Sequence, residues 1–313
     1  MRYIAKKLLT LILTLLLVSL LAFFAFQIIP GDPAIKMLGT QATPEKIAAL
    51  QAKLGLDQPM LIRYFKWLGD FFFGDMGTSY SYNMSVGSML AGKLPITLTL
   101  TVMSFILIVA GAIPLGIYTA KHQDRPVTKA INVINQITMS IPPFFLGILF
   151  TYLFGLLLRF FTPGGYVSYT VSVGSFIWYL FFPAVAIALP KIAMTTKMLQ
   201  GSLLSEMKLD YVRTAYSRGN RTNGVLYHHV LKNAMIPVVT FLGMTLADIV
   251  AGSIIIEQVF SIPGLGRLLI TSIANRDYPV VQAIIVCIAV IVIVINFAVD
   301  VVYQIIDPRV RGQ

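Results

Sequence analysis

Few residues of this 313-residue chain are of a type and spacing that could do chemistry. The three histidines, His122 and the adjacent His228 and His229, are the candidates for proton transfer or metal ligation. Neighbours on a helix point about 100° apart, so His228 and His229 cannot easily share one metal. No His-Glu-x-x-His or Cys/His spacing accompanies them, and contacts within a loop suit them better. Cys287 is the single cysteine and lies in an apolar run, which leaves no disulfide framework or thiolate metal site and suits a small core residue. The stretch from Gly87 to Lys93 has the glycine and lysine spacing of a phosphate-binding loop. However, Leu94 stands where a hydroxyl should hold magnesium, and no apolar strand precedes it, so ATP is not expected to bind this chain. No nucleophile–base pair can be assembled from spacing, and no catalytic residue is expected. Two carboxylates, Asp248 and Asp300, fall inside apolar runs. An ionised carboxylate at mid-bilayer costs about 2.5–3.5 kcal/mol, so each should face protein or water. Asp300, near the end of its run, suits a structural pairing. Asp248, near the centre of its run, either faces a water-filled pathway and attracts a cationic group or bonds to a neighbouring helix.

The elements that must position these residues follow from composition. The chain is 57% hydrophobic and 12% charged, with a mean hydropathy of +0.80. Soluble domains carry about a quarter charged residues, so this is a polytopic membrane protein. The net charge of +11 is not gathered into a basic patch with interleaved aromatics, which excludes a nucleic-acid partner. Instead, Lys and Arg cluster between apolar spans, as the positive-inside rule requires, and the lipid bilayer is the first partner.

Six spans are expected. Leu8–Ile29, after Arg2, Lys6 and Lys7, is about 22 residues or roughly 33 Å of helix, long enough to cross. No cleavage site precedes Pro30, so it is read as a retained span rather than a signal peptide. Residues 30–94 form the longest polar stretch. There Thr43 and Pro44 start a helix, Met60 to Phe73 form a second aromatic-rich one, and Gly74 to Gly77 turn at the interface. Ile96–Ala120 is the second span. The third covers about Ala130 to Phe161, kinked or interrupted at Pro142 and Pro143, and the fourth, Ser175–Thr195, is interrupted at Pro183 and Pro190. Ala234–Ile256 and Val280–Ile306 are the fifth and sixth. The basic stretches then place both termini in the cytoplasm and residues 30–94 outside it.

Between spans four and five, residues 197–233 are polar and basic and must leave the membrane. Within them Val212, Ala215, Tyr216 and Gly219 recur at helical spacing, with Asp210, Arg213 and Ser217 opposite. This describes a short amphipathic helix, ending near Gly219 and Asn220, that can lay one face on a partner.

That segment resembles the cytoplasmic coupling loop of permease subunits in bacterial ABC importers. Arg213, Thr214 and Ala215 occupy the family's Glu-Ala-Ala triplet, with Arg213 where the general pattern has Glu, and Gly219 follows at the family spacing. Tyr211 through Ala215, Ser217-Arg218-Gly219, and His229, Leu231 through Ala234 and Pro237 are similar to the peptide/nickel branch. So are Gly31-Asp32-Pro33, Leu54 through Pro59, Gly74 through Ser79, Glu257 through Arg267, and Arg276 through Gln282. The resemblance implies an all-α, six-span, type I importer permease with an extracytoplasmic insert after the first helix. Its domains would be residues 1–29, 30–94, 95–306 and a cytoplasmic tail at 307–313. It implies pairing with a second permease, docking of two ATPase subunits that carry ATP and Mg, and delivery of cargo by an extracytoplasmic substrate-binding protein. No cofactor is implied on this chain. Asp210, Tyr211, Val212, Arg213, Thr214, Ala215, Tyr216, Arg218 and Gly219 would couple to the ATPase. Apart from the resemblance, since that branch more often has a small or uncharged residue at 248, Asp248 is read with Glu257 as lining the pathway, where Asp248 could attract a peptide amino terminus. Pro263, Gly264 and Gly266 would shape a re-entrant turn at the outer mouth. Peptides are the implied cargo; nickel, metal chelates, opines and glutathione are compatible alternatives. An ion-coupled secondary transporter, marked by vanadate-insensitive and uncoupler-sensitive uptake, is the rival from another class, although no inverted repeat is visible. A membrane protease would need Asp248 and Asp300 to pair.

Overall fold

A computed structural model describes residues 2–28, 33–38, 42–53 and 57–306. Its elements are helices: α1 (Arg2–Ile28), α2 (Pro33–Leu38), α3 (Pro44–Lys53), α4 (Met60–Phe72), α5 (Val86–Lys121), α6 (Pro126–Ser140), α7 (Pro143–Phe150), α8 (Val173–Glu206), α9 (Asp210–Ser217), α10 (Thr222–Gly224), α11 (Leu231–Val259), α12 (Leu265–Ala274) and α13 (Tyr278–Ile306). Wide π-helical turns extend α7 over Thr151–Leu157 and join α10 to α11 over Val225–Val230. Among the described residues the one β contact is an isolated bridge between Thr78 and Ser85.

Four helical stretches are long and apolar enough to cross a bilayer: Val86–Lys121, Val173–Glu206, Thr222–Val259 and Tyr278–Val299. A fifth crossing exists if α6 and the α7 stretch, bent by 99°, count as one span. In α1 the apolar segment Leu9–Ala25 is shorter. The described residues therefore give four to five crossings by length and composition where six were expected.

The breaks differ from expectation in an instructive way. At Pro142 and Pro143 the chain does bend sharply, because a residue before proline is forced out of the helical region. Ile141 and Pro142 adopt extended ψ values of 123° and 142°. At Pro183 and Pro190 the expected interruption is absent: both prolines are buried inside the continuous 34-residue α8. Packing of α8 against α6, α7 and α11 holds the helix through the missing N–H groups. The fifth span also begins earlier than expected. Helix runs from Thr222, so His228 and His229 belong to the root of a long helix rather than to a loop. Likewise α5 starts at Val86, so Gly87 to Lys93, with its phosphate-loop spacing, is helical.

The chain divides into two compact units, to both of which α5 and α13 contribute. The first comprises Met1–Ile96 and Pro263–Ile293. In it, α4 seats its buried Tyr64 on α1 through a 2.9 Å bond to Ser19, with the Phe23 ring 5.5 Å away. The expected start of α3 is present, where Thr43 Oγ1 accepts from Lys46 N at 3.4 Å. The core of this unit gathers Val86 and Leu90 of α5, Leu265 of α12, and Val280, Ala283 and Ile284 of α13. The loop after α4 is clasped to the start of α13 by the buried Asp277, which accepts from Ser79 Oγ at 2.5 Å, Tyr80 N at 2.9 Å and Ser81 N at 3.2 Å.

The second unit comprises Thr97–Ile262 and Val294–Gln313. Its helices meet where side chains are smallest, as membrane helices do when dispersion must replace the hydrophobic effect. A Cβ on Gly116 would lie 2.9 Å from Leu199 Cβ of α8, and one on Gly243 would lie 2.9 Å from Val299 Cβ of α13. The rings of Phe161, Tyr179, Phe182 and Phe260 pack together, and Tyr179 Oη donates to Phe260 O at 2.6 Å. Gly31, Asp32, Leu54 through Leu56 and the tail from Asp307 lie outside the described residues, as does the side chain of Asp300.

Candidate functional site

The site is built around α9. Asp210 sits in its first turn and favours the helix N-terminus, while Leu209 precedes it in extended conformation. The helix stops because Gly219 takes φ +81°, a left-handed conformation that glycine alone adopts without strain. Nothing lies within 4 Å of a Cβ there, so the requirement is conformational rather than spatial. Asn220 Nδ2 donates to Ala215 O at 3.0 Å and satisfies one of the terminal carbonyls.

Val212 and Ala215 are buried on the chain itself, and α9 lies against the Val225–Val230 turn, whose Val225 and Leu226 are also buried. Tyr216, expected on that same face, is instead 40% exposed. With only two apolar residues turned inward, an eight-residue helix buries a narrow stripe, and the larger Tyr216 ring stays outside. Arg213, Thr214, Ser217 and Arg218 are exposed with it. Arg213 approaches Asp210 at 3.7 Å, a solvated contact worth little.

Tyr211 does something its spacing did not reveal. Its Oη donates to Glu206 Oε2 at 2.6 Å and accepts from Asn233 Nδ2 at 3.2 Å. Glu206 ends α8 and Asn233 begins α11, so one phenol ties the short helix to two long ones. Burial, and then the bond to Glu206, push the Tyr211 phenol above its usual value, so it stays protonated and keeps donating. The sequence signal was a tyrosine beside a polar residue at each helix end, which many loops share.

The remaining expected residues fall elsewhere. Asp248 of α11 meets Lys191 of α8, with Nζ 2.9 Å from Oδ2. Lys191 sits directly after Pro190 in an apolar run and was not singled out from the sequence. Glu257, expected to line a pathway, is instead fully buried, with no surface to offer a passing solute. It accepts from Thr97 Oγ1 at 2.6 Å, which fastens the end of α11 to α5. Removing one partner of a buried hydrogen bond costs about 1–3 kcal/mol. Thr97→Val should therefore lower the unfolding free energy of the detergent-solubilised chain by about that amount, read as a drop in Tm. An unchanged Tm would show that this bond does not fasten α11 to α5. The chain turns at Phe260 and Ser261, where Ser261 takes φ +55°, and Pro263 and Gly264 lead from there into α12. Gly266 is buried within α12, a ten-residue helix too short to cross a membrane.

Residues 112–312 match the family described as "Binding-protein-dependent transport system inner membrane component". Residues 1–101 match its amino-terminal counterpart, "Binding-prot-dependent transport system membrane comp, N-term". The chain is 33% identical over 309 residues, 99% of each protein, to the "Probable peptide ABC transporter permease protein y4tP" of Sinorhizobium fredii. It is 34% identical over 312 residues, again 99% of each, to the "Oligopeptide transport system permease protein AppB" of Bacillus subtilis. Among solved structures, a chain of the MetNI methionine ABC transporter in an inward-facing conformation has the same fold. That likeness has a TM-score of 0.54 at 20% identity over 70% of this chain and 96% of the other. Two family matches that together take in nearly the whole sequence, and a helical fold shared with a transporter chain, place this protein in the family of binding-protein-dependent transport system inner membrane components.

Proposed function

We propose that this chain is a permease subunit of an ATP-driven peptide importer, with α9 as the lever on which its ATPase acts. The full-length similarity to peptide permeases supports the cargo class. The chain pairs with a second permease to enclose the pathway, and an extracytoplasmic binding protein delivers the peptide. Two ATPase subunits carry ATP and Mg. The chain crosses the inner membrane six times, with α1 and the bent α6–α7 pair as crossings and both termini cytoplasmic. The basic residues around α9 support that orientation.

One observation carries the mechanical part: α9 has an anchored face and a free face. Val212 and Ala215 hold it to the chain, and Arg213, Thr214 and Tyr216 remain available to a partner. Force on the free face reaches Glu206 and Asn233 through Tyr211, and so moves the ends of α8 and α11 together. Closure of two ATPase subunits thereby becomes a rigid-body change of the bundle.

Thr214→Cys, in a background lacking Cys287, should cross-link to an ATPase subunit in the assembled complex, with a yield that changes when ATP is bound. Tyr211→Phe should lower peptide-stimulated ATP hydrolysis severalfold while the complex still co-purifies, since only the tie to Glu206 and Asn233 is cut. A Thr214→Cys complex that cross-links to no ATPase in any nucleotide state would end this reading.

A further inference from the structure

Resting on the importer reading above, we propose that Lys191 and Asp248 form a subsite for the two charged ends of a short zwitterionic peptide. Asp248 takes the α-ammonium and Lys191 takes the carboxylate.

The pair lies within two long apolar helices, where a lone charge is costly. Two opposite charges at 2.9 Å relieve that cost for each other, which would be a sufficient account if both were enclosed. They are not. The Asp248 side chain is 66% exposed and that of Lys191 20% exposed. Lys191 donates to Oδ2, and the exposed carboxylate keeps capacity to accept from a second donor.

The surface around Asp248 is also wrong for lipid. Along α11 the exposed positions from Pro237 to Gln258 include the apolar Met244, Ala251 and Ile255, but Thr240, Asp248 and Gln258 interrupt them with hydroxyl, carboxylate and amide groups. On α5 of the same unit the exposed positions Leu98, Val102, Ile106 and Ala110 are uniformly apolar, as a hydrocarbon-facing surface should be. The polar positions on α11, Asp248 foremost, are therefore suited to water or a polar solute rather than to hydrocarbon.

The chemistry of the pair selects the solute. A zwitterion carries no net charge, and neither does the pair. When it docks, one internal ion pair is replaced by two external ones, and no net charge is moved into the spans. A simple anion or a simple cation would leave one of the two residues unmatched. Recognition through the termini also leaves peptide side chains unread, which suits a pathway serving many sequences. Lys191 has a four-carbon stem that lets its ammonium swing away from Asp248, while Asp248 is short and held by α11.

The test is uptake of a mixture of radiolabelled di- and tripeptides with free termini by the complete complex in proteoliposomes supplied with ATP. Asp248→Asn and Lys191→Gln should each lower uptake about tenfold or more. The exchanged pair, Lys191→Asp with Asp248→Lys, should stay low, because it restores the bond between the helices but reverses the polarity that the ligand reads. The apolar double variant, Lys191→Met with Asp248→Met, should assemble, because it leaves neither charge alone within the apolar helices, yet transport poorly. Wild-type uptake by the exchanged or the apolar pair would make the contact purely structural and overturn the subsite. Single variants within about twofold of the unsubstituted complex would do the same. Failure of the unsubstituted complex to accumulate any peptide would instead strike the importer reading, and the subsite would fall with it.

Discussion

Asp277→Ala will destabilise the chain by about 2–4 kcal/mol, because it strands the buried Ser79 hydroxyl and two half-buried N–H groups at once. The carboxylate accepts from the Ser79 hydroxyl and from the backbone N–H groups of Tyr80 and Ser81, and has no exposed surface of its own. Neither N–H can be removed by repacking, and both lie in a loop with no sheet to receive them. The Ser79 hydroxyl in turn accepts from Tyr82 N at 3.0 Å, so loss of Asp277 frees the loop as far as Tyr82. Asn at this position restores the shape but offers one acceptor oxygen for three donors, and should recover only part of the loss. Ser79→Ala should cost about 1–1.5 kcal/mol, since the two backbone bonds survive. Thermal unfolding in detergent measures the global effect, and limited proteolysis after Tyr80 or Tyr82 reads the loop directly. A proteolysis pattern unchanged in Asp277→Ala would show that the clasp does not hold this segment. The same clasp sets an alkaline limit. Burial pushes the Tyr80 phenol up to about 12 from the usual 10, with Arg63 opposing and Asp277 and Tyr278 adding to the rise. The folded state then holds a proton that the unfolded chain releases, so stability is complete below pH 10 and declines as pH rises through 12.

Gly243→Leu will prevent the folded chain from accumulating. On α11, Gly243 presses against Val299 of α13 so closely that even a Cβ would lie 2.9 Å from Val299 Cβ and closer still to its two methyl groups. A side chain cannot be added without parting the helices, and close packing is most of what holds membrane helices together. Gly243→Ala, the smallest trial, should cost about 1–3 kcal/mol, the usual range for overpacking. Val299→Ala removes the opposing methyls and should return most of that loss in the double variant, so the coupling is measurable in a double-mutant cycle. Additive losses with no rescue would show that the two helices do not meet at this point. Gly116 faces Leu199 in the same manner and should respond to Ala with a loss of similar size.

Sequence and structure divide the molecule between them along a physical line. Features that depend on neighbours in the chain were legible in advance. The turn at Gly219 needs only a left-handed residue, the start of α3 needs only Thr43 before Pro44, and the sharp bend at Pro142 and Pro143 needs only the steric rule for a residue preceding proline. The span between Pro183 and Pro190 obeys the same local chemistry with the opposite outcome, because packing on three helices outweighs two lost hydrogen bonds. Glu257 illustrates the difference most sharply: a glutamate closing an apolar helix reads as a pathway residue until Thr97, 160 positions earlier, is found beside it.

Composition alone determined that this chain lives in a bilayer, since too few charges remain to dress a soluble surface, and local spacing determined that a short polar helix separates two long apolar ones. Which carboxylates are enclosed, which phenol joins three helices, and where Lys191 finds Asp248 were decided by tertiary structure. Those contacts depend on atoms brought together across tens to hundreds of residues, and periodicity carries no record of such distances.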